Sequence, residues 1–200
     1  MSLLDLGSPP PKAPTLVADP VWLRPIRIAD FAAWTGLREE SRAHLTRWEP
    51  AWRPEEMTET AFRQRVRAHW REMRRGGALP LIIFRRGDNK LLGAVTLSNI
   101  RYGAARSAVV GYWIGAPYLR QGYARAGLTA MLDYAFSAMG LNRIEAACQP
   151  ENEPSLRLLE GVGFKCEGRA RAYLNINDNW RDHLLYAIIA GDYRAACENA

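Results

Sequence analysis

Apolar positions along the chain change their period several times, and each change marks an element. Val21, Leu23, Ile26 and Ile28 punctuate an extended stretch from Val17 to Ile28, which predicts a first strand with an irregular end because Pro25 is excluded from a central ladder position. Asp30 stands where a helix cap belongs, and Phe31, Trp34 and Leu37 then share one helical face to about Glu40. Helical spacing returns with Phe62, Val66 and Met73 between Thr58 and Arg75, arginines cover the remaining faces, and Gly76-Gly77 ends the run. Leu79 to Phe84 and Leu91 to Leu97 flank the polar turn Arg86-Gly87-Asp88-Asn89, which predicts a hairpin. Ala108 to Ile114 is the third antiparallel strand of this group.

After Ile114 the pattern breaks at Gly115 and Pro117, and past Gly122 it becomes helical. Leu128, Met131, Leu132, Ala135, Phe136 and Met139 follow the helical rule until Gly140. Arg143 to Cys148 alternates, with Ile144, Ala146 and Cys148 on one side, and this strand should lie parallel to the one before the crossover. Pro154 suits a first helical position with Asn152 or Glu153 as cap, so a helix is expected from Ser155 to about Gly161. Two last strands, Lys165 to Ile176 and Asp182 to Ile189, are joined by the turn Asn177-Asp178-Asn179. The expected architecture is an α/β (α+β) single domain over residues 15–200. Its mixed, mostly antiparallel sheet has six to seven strands and about four helices. Pro9, Pro10, Pro11 and Pro14 predict a flexible tail over residues 1–14.

Charge adds one constraint. Lys and Arg total 27 against 21 Asp and Glu, a net charge of +6, so the surface should favour acidic or phosphorylated partners, although no nucleic-acid motif is present. Cys148, Cys166 and Cys197 lie far apart without a C-x-x-C pair, which argues against a zinc site or a disulfide framework. No leader-like start and no long apolar run are found, so a soluble cytoplasmic protein without a membrane segment is expected, as monomer or homodimer.

The junction from Val109 to Leu128 carries the first candidate chemistry. Strand, tight loop and helix follow one another there, and the orphan N–H groups and dipole of a helix start make a ready anion site. Arg120-Gln121-Gly122-Tyr123-Ala124 resembles the pyrophosphate-binding motif of the GNAT acyltransferase superfamily, usually written Arg/Gln-x-x-Gly-x-Gly/Ala, with Leu119 on its first position. Asn152-x-x-Ser155 with Leu158-Leu159-Glu160-x-x-Gly163-Phe164 resembles the downstream motif of that superfamily. Leu45-Thr46-Arg47-Trp48-Glu49-Pro50 and Trp180-Arg181-Asp182-His183 resemble its RimJ/RimL-like ribosomal-protein alanine N-acetyltransferase branch, and the likeness spans residues 15 to 190.

The resemblance implies a GNAT fold with a sheet splayed between its fourth and fifth strands, and acetyl-CoA as acyl donor without a metal. It implies that backbone amides from Arg120, Gln121, Gly122, Tyr123, Ala124 and Arg125 cradle the pyrophosphate. Trp113 and Ile114 would pair with the pantetheine arm, joined by Asn152. Many superfamily members place an acidic tyrosine where this chain has Leu159. In the RimJ/RimL-like branch a serine fills that role, and Ser155 matches it. Trp48, Glu49 and Trp52 are candidates for the acceptor wall, with Glu49 as base for the amine. The implied acceptor is a protein N-terminal amine, possibly that of a ribosomal protein. A small amine is the alternative substrate, and a non-catalytic CoA-binding assembly module is the alternative class.

Overall fold

The computed structural model describes residues 14–198. Eight strands form one sheet: β1 (Leu16–Ala18), β2 (Val21–Pro25), β3 (Leu79–Arg85), β4 (Leu91–Arg101), β5 (Ser107–Ile114), β6 (Arg143–Cys148), β7 (Lys165–Ile176) and β8 (Asn179–Ile189). Their spatial order is β1-β2-β3-β4-β5-β6-β8-β7, antiparallel throughout except between β5 and β6. The helices are α1 (Phe31–Glu40), α2 (Arg42–Leu45), α3 (Glu59–Arg75), α4 (Tyr123–Ser137), α5 (Glu153–Val162) and α6 (Ala190–Glu198). The strand count exceeds the expected six to seven because a turn at Asp19-Pro20 divides the first extended stretch in two. The helix count exceeds four because α2 is a single short turn and α6 follows β8 directly. The proline-rich tail lies outside the described residues apart from Pro14, as does the side chain of Cys197.

Asp30 does not cap α1 as the pattern suggested. Its carboxylate takes both guanidinium nitrogens of Arg24 at 2.7 Å and accepts the Arg27 N–H, closing a 3-10 turn that precedes the helix. Thr58 does cap α3, its hydroxyl accepting the Ala61 N–H, and Gly76 ends that helix at φ +71°, where a side chain would be strained.

Alternation along β6 holds: Ile144, Ala146 and Cys148 are buried, and the residues between them less so. The main core lies between the sheet and α4, with Leu128, Met131, Leu132 and Ala135 packed against Leu81, Ile83, Leu92 and Val95. A second core under α1 and α3 gathers Trp34, Phe62, Val66 and Phe84 on the other side of the sheet. No described helix is long and apolar enough to cross a membrane.

The parallel pairing positions the site. It covers only Ser107, Ala108 and Val109 against Arg143, Ile144 and Glu145. Beyond that point the strands part, while β5 keeps its ladder with β4 up to Ile114 and β6 keeps its ladder with β8 up to Cys148. The expected splay therefore lies between β5 and β6, the fourth and fifth strands when β1 and β2 are taken as one.

Candidate active site

The splay opens beside two helix starts. Gly122 adopts φ +81°, a backbone conformation that favours glycine, and a Cβ there would meet open space. The first helical bond of α4 runs from the Ala126 N–H to the Gly122 carbonyl at 3.0 Å, and the amides of Gln121, Gly122, Tyr123, Ala124 and Arg125 have no hydrogen-bond partner among the described residues. Five unpaired donors at a positive helix end fit a pyrophosphate. The side chains of the loop do other work. Gln121 donates to the Pro117 carbonyl at 2.9 Å, the buried Tyr123 ring meets Tyr118 edge-on, and Leu119 is exposed. Arg120 takes a left-handed φ of +59°.

The edge of β5 continues this surface. The Gly115 N–H donates to the Leu92 carbonyl, so the strand's alternation turns the main-chain groups of Ile114 and Tyr112 away from β4, toward the splay. Those of Trp113 turn toward β4, and its ring packs on the Arg38 guanidinium at 5.0 Å.

Between the parted strands lies a cavity of about 150 Å³ whose walls include Trp48, Tyr112, Cys148, Asn152, Ser155 and His183. Asn152 caps α5 with its side-chain oxygen accepting the Ser155 N–H at 3.4 Å, which fixes Ser155 in the first turn. Across the gap the Tyr112 hydroxyl lies 2.6 Å from Ser155 Oγ. Burial pushes the Tyr112 phenol well above its ordinary pKa, so it stays protonated and both groups can pass a proton. Burial likewise raises the Cys148 thiol, which keeps it a poor nucleophile. Leu159 forms part of the apolar wall.

Among the acceptor candidates the structure brings only Trp48 to this cavity. The loop that carries it is pinned from two sides: Gln149 Nε2 donates to the Trp48 carbonyl at 3.3 Å, while Asn177 accepts the Ala51 N–H at 2.7 Å and donates to the Thr46 carbonyl at 2.8 Å. Glu49 and Trp52 belong to a neighbouring cluster. Glu49 Oε1 accepts from Arg38 at 2.6 Å and from the Trp52 indole at 3.0 Å, and the Arg38 guanidinium sits 4.1 Å from the Trp52 ring. Burial lowers the pKa of Arg38 and the Glu49 charge opposes that shift, so the pair holds the loop against α1.

No sequence pattern assigns a role to Tyr112, Gln149, Asn177 or His183. His183 stands in a motif and Asn177 in a turn signal, but neither pattern says which strands part. Among the described residues no cluster of His, Cys, Asp and Glu could hold a metal ion.

Residues 21–165 match the family described as the acetyltransferase (GNAT) domain. The chain is 31% identical to the probable N-acetyltransferase YjcK of Bacillus subtilis, over 86% of this chain and 95% of that one. It is 30% identical to the ribosomal protein uS5-alanine N-acetyltransferase of Escherichia coli, over 84% of this chain and 83% of that one. Among solved structures, Mycobacterium smegmatis RimJ in complex with CoA-disulfide is similar at TM-score 0.82 and 36% identity, covering 92% of this chain and 93% of that one.

Proposed function

The chain belongs to the GNAT acetyltransferase family and is an acetyl-CoA-dependent N-acetyltransferase, and from that premise we propose that its acceptor is the N-terminal α-amine of a protein, a ribosomal protein foremost. The observation that carries this reading is the small cavity between β5 and β6, roofed by Trp48 and walled by Ser155. A cavity of that size suits a chain end with a small first residue. The relative named for uS5 alanine supports the same class of acceptor.

Acetyl-CoA lays its pyrophosphate on the free amides of Gln121–Arg125 and runs its pantetheine arm along the exposed edge of β5, with Asn152 on the opposite bank. The main-chain groups of Ile114 point into this gap and can polarise the thioester oxygen. The neutral amine attacks the carbonyl carbon, a C–N bond forms, and the C–S bond breaks with its electron pair going to sulfur. Ser155 Oγ gives its proton to that sulfur and regains one from the intermediate's nitrogen, held in line by Tyr112. Transfer is direct, because the raised pKa of Cys148 disfavours an acetyl-cysteine.

Incubation with acetyl-CoA and a set of N-terminal peptides, read by free thiol release and by mass, tests this reading. Acetylation of the α-amine is expected. Release with polyamines, aminoglycosides or amino acids but with no peptide would transfer the assignment to a small amine. Binding of CoA without release to any acceptor would make the chain a binding module.

A further inference from the structure

We infer that His183 is the base that takes the ammonium proton of the acceptor, an inference that rests on the acetyl-transfer reading above. The ring is only 4% exposed and lines the same cavity as Ser155 and Trp48. Its Nδ1 lies 3.1 Å from the Arg181 carbonyl oxygen. A carbonyl can only accept, so Nδ1 carries the ring hydrogen and the lone pair of the neutral imidazole sits at Nε2. Nε2 has no hydrogen-bond partner among the described residues, yet it is not sealed off. Tyr173 packs against the ring at 5.4 Å, so orientation is set from two sides. A buried imidazole that lines a reaction cavity, with one nitrogen fixed and the other without a protein partner among the described residues, is poised to accept a proton.

The other candidates are worse placed. Glu49 Oε1 is already shared by Arg38 and Trp52, and its residue is not part of the cavity wall. His44 lies on α2 and His69 on α3, neither of them at the splay. The protons balance with His183 in place. Of the three on the acceptor's ammonium, one goes to Nε2 and on to water, one reaches sulfur by way of Ser155, and one stays on the amide.

Two measurements on the full chain test the assignment. Long-range nitrogen NMR of the histidine rings in the unaltered protein should show His183 with hydrogen on Nδ1, and a neutral ring with hydrogen on Nε2 would overturn the inference. For kinetics, His183→Gln and His183→Asn are assayed with an alanine-initiated peptide and with a simple diamine, using whichever the unaltered enzyme acetylates. The expected result is a fall in kcat of about 100-fold or more, with KM for acetyl-CoA within about twofold. Added imidazole should restore part of the rate in His183→Ala. Unchanged kcat in either conservative variant would overturn the inference. An enzyme that acetylates only the diamine refutes the protein acceptor while leaving the His183 comparison intact, and one that acetylates neither leaves the decision to the ring tautomer.

Discussion

The hydroxyl of Tyr112 on β5 and the hydroxyl of Ser155 in the first turn of α5 meet at 2.6 Å across the gap where the sheet parts. Each comes from a different bank of the splay, so the contact exists only because β5 and β6 stop pairing after Val109. This geometry holds the Ser155 hydroxyl against a phenol that can donate to it or accept from it. Ser155→Ala is expected to lower kcat by about 10- to 100-fold with CoA affinity changed less than about twofold. Tyr112→Phe should lower kcat less, and the double variant should be no slower than Ser155→Ala. Steady-state rates and CoA titration check this, and additive losses would separate the two hydroxyls.

Asn177, at the tip of the β7–β8 hairpin, holds both ends of the Thr46–Ala51 loop through one side chain. Asn177→Ala removes two hydrogen bonds that fix Trp48 over the cavity. KM for the amine should rise about 5- to 30-fold, following a loss of about 1–2 kcal/mol. KM for acetyl-CoA should hold, and amide exchange of residues 46–51 should quicken.

Gly122 holds a left-handed backbone with empty space where a side chain would stand. Gly122→Ala therefore acts through strain and not through a clash, at a cost of about 1–2 kcal/mol. Relaxation of that strain turns the loop amides away from the phosphates, so CoA affinity is expected to fall about 5- to 30-fold. Calorimetric titration with CoA measures it.

His69 on α3 supplies a pH dependence of stability. Burial, and secondarily the charge of Arg65, lowers its pKa to about 4, and its Nδ1 is buried without a hydrogen-bond partner among the described residues. The unfolded chain takes up the proton more readily, so this contribution is full above the unfolded pKa and is lost as pH falls toward the folded one. Between pH 7.5 and pH 5 the loss should be about 2 kcal/mol. Denaturant midpoints at the two pH values should show it in the unaltered protein and show markedly less of it in His69→Gln.

The elements of this fold were legible where period and punctuation agreed. The alternation of Ile144, Ala146 and Cys148 and the helical spacing of α4 needed no tertiary information. Asp30 misled because a carboxylate that looks like a cap finds a stronger partner in Arg24, six residues back on β2, and that pairing is invisible to a helical pattern that starts at Phe31. α6 escaped notice because Ala190–Glu198 follows β8 without a break and its short run has no clear apolar stripe. At the site, Ser155, Asn152 and Trp48 stood in motifs and do line one cavity. Tyr112 reads only as a strand residue, and the motif that holds His183 does not say where its ring lies, because their sharing one cavity depends on a ladder that ends early and on β8 inserting between β6 and β7. Glu49 carried the right chemistry for a base, but Arg38, buried on α1, had already claimed it.

The most direct measurement of the central claim is thiol release from acetyl-CoA by the full chain in the presence of peptides that begin with alanine or serine, with the site of acetylation read by mass. Acetyl on the α-amine and release that depends on Ser155 are expected. Release that proceeds with small amines alone, or α-amine acetylation undiminished in Ser155→Ala, would contradict the central claim.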